Sequence, residues 1–247
     1  MKPLSELRVL VITGAGISAE SGIPTFRGPG GLWRNFDPAR LATESAFRAD
    51  PQLVWDWYRE RRQKIRACAP NAAHRAVVQL AARARDFLLV TQNVDDLHTR
   101  AVWNGRHLPT EKLVQIHGDI FVTRCSRCDF RRCDAATDAS GVPDCPQCGA
   151  TLRPGVVWFG ESLPTHEVER VDSFLSRHPC DLVLVIGTTA LFSYIVKWAV
   201  DAKAVAGHLI EINPEETPIS AYATEIIRQP AATALPTLVA DIASSRQ

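Results

Sequence analysis

Five short apolar runs alternate along this chain with segments of helical pattern, and this alternation constrains the fold more than any other feature. Each run has the length of one β-strand: Arg8–Thr13, Phe87–Val94, Leu113–His117, Asp181–Thr188 and His208–Asn213. Continuous apolar strands separated by helices are typical of a parallel sheet with helices on both faces. The sequence therefore predicts an α/β fold with a Rossmann-like, doubly wound parallel sheet, in which ligands bind beyond the carboxyl ends of the strands.

Two of the predicted helices have clear beginnings. Asp50 stands before Pro51, which predicts an N-cap followed by proline in the first turn and a helix to about Ile65. Asn71 predicts the N-cap of a second helix to about Arg85. The 247 residues are enough for one sizeable domain, or for one domain with a smaller insert.

The composition excludes some classes of protein. A formal net charge of +1, with 22% charged and 46% hydrophobic residues, is typical of a soluble globular protein rather than a polyanion binder. The N-terminal apolar run reaches only Gly14, too short for a signal peptide or a membrane span. We therefore expect a cytoplasmic protein whose cysteines are thiols or metal ligands, because the cytosol keeps thiols reduced.

A glycine-rich stretch, "TGAGISAESGIPTFRG", follows the first predicted strand. Gly14, Gly16 and Ala19 match the G-x-G-x-x-[GA] pattern that brings backbone close to a pyrophosphate, although a tight strand-to-helix connection would use the same residues. The acidic residue that binds the adenosine ribose in ordinary dehydrogenases, about twenty residues further on, is absent. Instead a loop continues, in which Phe26 and Arg27 offer an aromatic ring and a cation to a bound dinucleotide.

Two Cys-x2-Cys pairs stand sixteen residues apart and predict a zinc ribbon with four thiolate ligands, Cys125, Cys128, Cys145 and Cys148. Four sulfur ligands leave no open position, so we expect one structural zinc ion. Cys133 has no Cys-x2-Cys partner and is expected to lie outside the site. Cys68 and Cys180 are predicted to be buried or partly buried thiols.

Polar residues follow two of the predicted strands. Gln92, Asn93 and Asp95 lie in "TQNVDDLH", and His117 lies in "VQIHGD". At the carboxyl ends of strands these side chains are placed to bind a carboxamide and ribose hydroxyls, and a histidine can take a proton from a hydroxyl. For any one of them, a structural role as a loop cap or a core histidine is an equally good interpretation.

These motifs, together with "GVVWFGE" and "IEIN", occur in the order in which the sirtuin family has them and span nearly the whole chain. The chain therefore resembles a sirtuin. The resemblance implies a large Rossmann-type domain (about 1–35, 71–118 and 155–247) and a small domain made of a helical insert (about 36–70) and the zinc ribbon (about 119–154). It also implies an enzyme that removes acyl groups from lysine side chains and consumes NAD.

The resemblance also implies roles for individual residues. His117 is the expected general base, which activates a ribose hydroxyl after the amide oxygen of the acyl-lysine has displaced nicotinamide. The expected products are free lysine, nicotinamide and acyl-ADP-ribose. The implied NAD-binding residues are Gly14, Ala15, Gly16, Ser18, Phe26, Arg27, Gln92, Asn93, Asp95, Gly187, Thr188, Thr189 and Asn213. "VVWFGE" is expected to pair with the substrate peptide as an added strand, through Val157, Phe159, Gly160 and Glu161.

The stretch "VWDWYRERRQKI" is the most informative about the acyl group. On a helix, Tyr58 and Arg61 share a stripe with Val54 and Ile65, so the arginine lies among apolar neighbours. A solvent-directed arginine is one interpretation, and a carboxylate-binding pair is the other. By resemblance, Tyr-x-x-Arg here marks the sirtuins that prefer succinyl-, malonyl- and glutaryl-lysine, and Ala42 is expected to widen the acyl channel. A mainly deacetylating enzyme is the alternative.

Two positions depart from the family pattern. Tyr194 stands near an expected proline in "GTTALFSYIVKW", and with Phe192 it is expected to alter the adenosine side of the pocket. Asp119 stands where many sirtuins have serine, and a carboxylate near His117 would raise the pKa of the imidazole.

Other classes of function fit parts of the sequence. The first Cys-x2-Cys pair is surrounded by Arg124, Arg127, Arg131 and Arg132, which would suit a nucleic-acid-binding ribbon. Neighbouring acidic residues and the near-neutral charge of the chain disfavour this function. An ADP-ribosyltransferase or a non-catalytic NAD sensor would keep the same pocket. The expected partners are proteins with acylated lysines, with no membrane contact, and no oligomeric state is predicted.

Overall fold

The structure is a computed structural model that describes residues 2–25, 38–134, 138 and 140–244. The strands of these residues are β1 (Arg8–Thr13), β2 (Asp86–Thr91), β3 (Leu113–Gln115), β4 (Gly118–Cys125), β5 (Arg131–Cys133), β6 (Leu152–Val156), β7 (Cys180–Ile186), β8 (Lys203–Ile212) and β9 (Glu225–Ile227). The α-helices are α1 (Pro38–Leu41), α2 (Glu44–Ala49), α3 (Pro51–Ala67), α4 (Ala72–Arg83), α5 (Leu97–Arg100), α6 (Thr165–Arg177), α7 (Ser193–Ala202) and α8 (Ala231–Ser244).

Six strands form a parallel sheet in the order β3-β2-β1-β7-β8-β9. The chain winds outward from β1 in one direction and from β7 in the other, so the strand order reverses between these two strands. A doubly wound sheet opens a crevice at such a reversal, at the carboxyl ends of the strands. The predicted fold class is confirmed.

Side chains of the central strand alternate between the two faces of the sheet. Val9 and Val11 of β1 pack into the cluster that α4 and α8 cover, and Leu10 and Ile12 pack into the cluster under α6 and α7. All six residues of β1 are buried, as the continuous apolar run predicts for a strand covered on both sides.

The predicted helix caps are present. The Asp50 carboxylate accepts a hydrogen bond of 2.9 Å from the Leu53 amide at the beginning of α3. The Asn71 side chain accepts one of 2.9 Å from the Ala73 amide at the beginning of α4. These caps satisfy amide groups that have no partner within the helix.

A second, antiparallel sheet has the order β5-β4-β6, and the helices α1–α3 pack against it. Phe47 and Trp55 from the helices, Phe121 from β4 and Trp158 after β6 belong to one buried cluster. The sequence-based domain limits stay a prediction.

Some elements differ from the sequence-based prediction. The glycine-rich stretch continues as a 3-10 helix (Ala15–Ser21), β8 begins at Lys203 rather than at His208, and β9 was not predicted. β9 has only three residues, which are exposed or half-buried, so it carries little apolar signal. Among the described residues, no helix combines the length and the apolar character needed to cross a membrane.

Candidate active site

A cleft of about 630 Å³ lies at the carboxyl ends of the central strands. Most of the predicted site residues line it although they are far apart in sequence: Gly14, Ala15, Gly16, Tyr58, Arg61, Gln92, Asn93, His117, Val157, Phe159, Gly160, Glu161, Gly187, Thr188, Thr189 and Asn213. Ala42, which was expected at the acyl channel, lines it as well. Their proximity is a property of the fold, and their individual roles stay predictions. Phe26 and Arg27 lie outside the described residues.

The two glycines of the first motif lie against the turn after β7. The Gly16 amide donates to the Gly187 carbonyl at 2.8 Å, and a Cβ atom at Gly16 would lie 2.7 Å from the Gly187 Cα. A Cβ at Gly14 would lie 2.7 Å from the Thr188 Cβ. The close packing of the two loops therefore requires glycine at both positions, and it leaves their backbone at the edge of the cleft.

Thr188 links three of the predicted motifs. Its hydroxyl accepts a hydrogen bond of 2.9 Å from the side-chain nitrogen of Gln92. Its backbone carbonyl accepts one of 2.7 Å from the side chain of Asn213. The loops after β1, β2, β7 and β8 are thus fixed relative to one another by hydrogen bonds. A dinucleotide suits this cleft, because backbone groups approach it closely at the glycines and amide side chains surround it.

Ser18 and Asp95, two of the predicted NAD-binding residues, are buried and belong to a layer beneath the cleft, and their role stays a prediction. The Ser18 hydroxyl donates to Asp95 at 3.0 Å and accepts from Asn93 at 3.2 Å. Burial raises the pKa of Asp95 to about 6, against the opposing effect of the hydrogen bond from the Leu97 amide. Burial also lowers the pKa of His74, which lies 3.4 Å from the Ser18 hydroxyl, to about 3.

His117 is held from both sides of its ring. Its Nδ1 lies 3.0 Å from the Gln92 carbonyl oxygen, and its Nε2 lies 2.6 Å from the Tyr194 hydroxyl. Burial lowers the pKa of His117, and the hydrogen bond to Gln92 partly opposes this shift. The expected rise in pKa from Asp119 is not found, since the pKa of His117 is lowered. The Asp119 carboxylate accepts a hydrogen bond of 2.7 Å from the Phe121 amide.

Aromatic residues form the wall around Tyr58 and Arg61. The Trp158 indole donates to the Tyr58 hydroxyl at 3.0 Å, and the Arg61 guanidinium lies 4.7 Å from the centre of the Trp57 ring. Burial raises the pKa of Tyr58, and the charge of Arg61 opposes this. Burial lowers the pKa of the half-buried Arg61, and Tyr58 and Asp95 raise it. Arg61 is thus kept beside the cleft among aromatic rings.

The segment Val157–Glu161 continues from β6 along the same cleft. The Val157 amide donates to the His117 carbonyl at 2.9 Å, and the Phe159 amide donates to the Ala42 carbonyl at 2.9 Å. Glu161 forms an ion pair with Arg153, whose guanidinium lies 3.3 Å from the centre of the Trp158 ring. This segment therefore joins His117, the helices α1–α3 and the sheet of the ribbon.

The four cysteines of the paired hooks come together. The sulfur atoms of Cys125, Cys128, Cys145 and Cys148 all lie within 4.8 Å of one another. Such a set of four thiols fits one tetrahedral zinc ion. Cys133 is exposed and lies outside this group, and Cys180 is buried and Cys68 half-buried, as predicted.

Most of the arginines around the first Cys-x2-Cys pair have partners within the chain. Arg124 lies 3.4 Å from Glu161, and Arg132 lies 3.0 Å from Asp134. Arg127 donates to the Cys148 carbonyl. These cations are engaged in the structure of the ribbon, which disfavours a phosphate-binding surface there.

Several cleft residues were not predicted: Glu20, Trp57, Trp158, Leu163, Glu215 and Ala231 are among them. Trp57 is next to Tyr58, and Trp158 stands between Val157 and Phe159. Their positions in these motifs could have indicated that they line the cleft. Phe192 and Tyr194, expected near the adenosine, are placed against His117, with the Phe192 ring 5.6 Å from the imidazole between ring centres.

The model of the Sir2 family matches residues 14–193 of this chain. The chain belongs to the Sir2 family. The predicted sirtuin resemblance is thereby confirmed. An NAD-dependent protein deacylase of Aquifex aeolicus is 42% identical over 233 residues, which cover 94% of each chain. One of Thermus thermophilus is 44% identical over 220 residues, 87% of this chain and 83% of the relative.

Solved structures of Sir2 proteins have the same fold. A Sir2 homolog in complex with NAD superposes with a TM-score of 0.85 at 40% identity, covering 98% of this chain and 91% of that one. A complex of Sir2 with a p53 peptide and NAD+ superposes with a TM-score of 0.78 at 25% identity, covering 96% and 95%.

Proposed function

We propose that this protein is an NAD-dependent protein-lysine deacylase that prefers acidic acyl groups. The activity is the one that the names of its Sir2 relatives state, at about 40% identity over nearly the whole chain. One observation supports the proposal most: a single cleft joins His117, the glycine loop and the Tyr58–Arg61 pair.

In this proposal NAD binds along the edge where the loops after β1, β2, β7 and β8 meet. Gln92 and Asn213 hold Thr188 in place there, so the amide groups and the backbone around Gly14 and Gly187 are fixed before NAD binds. A preorganised site of this kind loses less conformational entropy on binding. When bound, NAD supplies the ribose carbon that receives the acyl oxygen, and it is consumed.

His117 is the proposed general base. Its Nδ1 lies against a carbonyl, which only accepts hydrogen bonds, so Nδ1 carries the proton and Nε2 has the free electron pair. Burial lowers the pKa of His117, so the ring is neutral near pH 7 and its Nε2 can take a proton from a ribose hydroxyl.

The preference for acidic acyl groups rests on Tyr58 and Arg61. The Tyr58 oxygen accepts from the Trp158 indole, so the hydroxyl keeps its own proton to donate. The Arg61 cation lies at the same wall of the cleft. A terminal carboxylate of a succinyl, malonyl or glutaryl group would receive charge-assisted hydrogen bonds from both.

The acylated peptide is proposed to run along Val157–Glu161. The amides of Val157 and Phe159 already donate within the chain, so a peptide strand would use mainly the carbonyl groups of this segment as acceptors. Zinc, held by the four cysteines, would stabilise the ribbon that leads into this segment and would take no part in the chemistry.

The test is deacylation, in the presence of NAD, of one peptide that carries acetyl-, succinyl-, malonyl- or glutaryl-lysine, followed by mass spectrometry. The wild type is compared with Arg61→Met and with Arg59→Met as a matched control. Arg59 is two residues away on the same helix, lies 2.8 Å from Asp56 and does not line the cleft.

We expect the wild type to prefer the acidic acyl groups. Arg61→Met should lose that preference, with kcat/KM on succinyl-lysine falling about 10- to 100-fold, as for a lost hydrogen bond to a charged group. Arg59→Met should behave as the wild type. Equal losses on acetyl- and succinyl-lysine in Arg61→Met would refute the carboxylate-binding role, and absence of any NAD-dependent deacylation would refute the enzyme.

A further inference from the structure

The hydroxyl of Tyr194 contacts the one nitrogen of His117 that can act as a base. The oxygen lies 2.6 Å from Nε2. Tyr194 stands in the second position of α7, and its ring lies 5.1 Å from that of Trp198 and is stacked with Phe192 at 5.6 Å. The tyrosine is therefore held in place by its own aromatic neighbours.

The direction of this hydrogen bond follows from the other side of the imidazole. The Gln92 carbonyl at 3.0 Å from Nδ1 can only accept, so the Nδ1 of the neutral ring carries the proton. Nε2 is then an acceptor, and the Tyr194 hydroxyl must be the donor. The two contacts together select one tautomer and fix the plane of the ring.

We propose that Tyr194 is a positioning residue for the reaction, which holds His117 as a neutral imidazole with its Nε2 electron pair directed at the position of the Tyr194 hydroxyl. A substrate hydroxyl that reaches Nε2 takes the place of the tyrosine hydroxyl, and donates in the same direction. The tyrosine acts through His117 and transfers no proton itself. This inference rests on the proposed role of His117 as the base.

The pKa of His117 depends on the charged groups and the hydrogen bonds that surround its ring. Among the described residues, the titratable or charged groups that line the cleft or lie on the elements next to His117 include Tyr194, Asp95, Asp96, Asp119, Glu20, Arg61, Glu161 and Glu215. The pKa of His117 is lowered by burial and raised by the contact with Gln92. The hydrogen bond donated to Nε2 stabilises the neutral ring, and the hydroxyl must first turn before it can accept from a protonated Nε2, so its removal should raise this pKa.

The test is Tyr194→Phe, which keeps the aromatic packing and removes only the hydroxyl. Tyr222→Phe is the matched control, because Tyr222 is 54% exposed and does not line the cleft. The pKa and the tautomer of His117 are measured by NMR titration of the 15N-labelled imidazole, with His117→Ala to assign the signal. The pH dependence of kcat/KM is measured on the same proteins.

We expect Tyr194→Phe to raise the pKa of His117 by about 0.5–1 pH unit, the equivalent of one lost neutral hydrogen bond. The acidic limb of the pH profile of kcat/KM should move to higher pH by the same amount. The plateau value of kcat/KM should fall by less than tenfold. Tyr222→Phe should change neither quantity. The Tm of each variant shows whether it is folded.

Two results would overturn the inference. An unchanged or lowered pKa in folded Tyr194→Phe would show that the hydroxyl does not stabilise neutral His117. A plateau loss above about a hundredfold would indicate a direct proton-transfer role, in the range expected for general acid–base catalysis. Because the NMR titration needs no turnover, a wild type without deacylase activity would refute the proposed function separately.

Discussion

Arg61 and Arg62 are neighbours on α3, yet their guanidinium groups have different surroundings. Arg61 is half-buried and lines the cleft beside Trp57. Arg62 is 1% exposed and is held within the sheet of the ribbon, 3.0 Å from the Val122 carbonyl and 2.7 Å from Asp138. One arginine therefore lines the cleft, and the next one holds the helix against the ribbon.

Replacing Arg62 by methionine should lower the free energy of unfolding by about 2–5 kcal/mol, because the carbonyl groups of Ile120 and Val122 lose their donor. The half-buried Asp138 also loses one of its two arginines and keeps Arg66. Arg61→Met should lower the free energy of unfolding by less than about 1 kcal/mol, since the burial that lowers the pKa of Arg61 also makes its charge costly in the folded protein. Urea unfolding of the two variants at pH 7 measures both values. Similar values for the two would contradict the assignment of Arg62 as the structural arginine.

Replacing Tyr58 by phenylalanine should reduce kcat/KM on succinyl-lysine about 10-fold or more, because a carboxylate loses one hydrogen bond from the hydroxyl. The loss on acetyl-lysine should be smaller. Competition between the two acylated peptides in one reaction measures the ratio directly. The Trp158 indole also loses its acceptor, so Trp158→Phe serves as a control for that effect. An unchanged ratio in Tyr58→Phe would argue against the hydroxyl as a carboxylate donor.

Asp95 should make the fold less stable as the pH rises. Its pKa in the folded protein, about 6, is above the ordinary 3.8, so its contribution is fully present below pH 3.8 and is lost as the pH passes 6. Relative to Asp95→Asn, the free energy of unfolding of the wild type should fall by about 2 kcal/mol between pH 4 and pH 7. Chemical unfolding across this range measures it. Glu215→Gln, which removes an exposed carboxylate from the same cleft, should show no comparable change.

Removal of the metal should unfold the ribbon and weaken peptide binding. Apart from cysteines, Leu152 is the one buried residue of its small core in the described part of the ribbon, so the ribbon has little apolar stabilisation of its own. We expect one zinc per chain by elemental analysis, and a lower Tm with a higher peptide KM after chelation. Cys145→Ser should have the same effect, and Cys133→Ser, outside the cysteine group, should keep the zinc. A Tm unaffected by chelation would contradict a structural metal.

The sheet was predictable because its strands are buried on both faces. β1 reads as an uninterrupted apolar run, and its limits agree with the prediction at both ends. β9 and the short strand β5 of the ribbon gave no such signal, because exposed or charged residues stand there in place of buried apolar side chains. The 3-10 form of Ala15–Ser21 depends on the contact with Gly187, which is distant in sequence.

The site was predictable where residue types have a characteristic chemistry at a fixed spacing. The four cysteines, His117 and Gln92 lie in motifs of this kind, and the structure brings each set together. Ser18 and Asp95 were predicted to bind NAD, and the sequence could not show that both side chains are buried beneath the cleft. The contact of Tyr194 with His117 joins α7 to the loop after β3 and depends on how these elements pack.

The contact between Gly16 and Gly187 has a consequence for how variants of this protein are interpreted. A side chain on either glycine forces the two loops apart, whatever else is bound nearby. A weaker affinity for NAD in Gly16→Ala would therefore report the displacement of the loops after β1 and β7, and not the contribution of one amide. A substitution in one of the two glycine motifs therefore acts on the other motif as well.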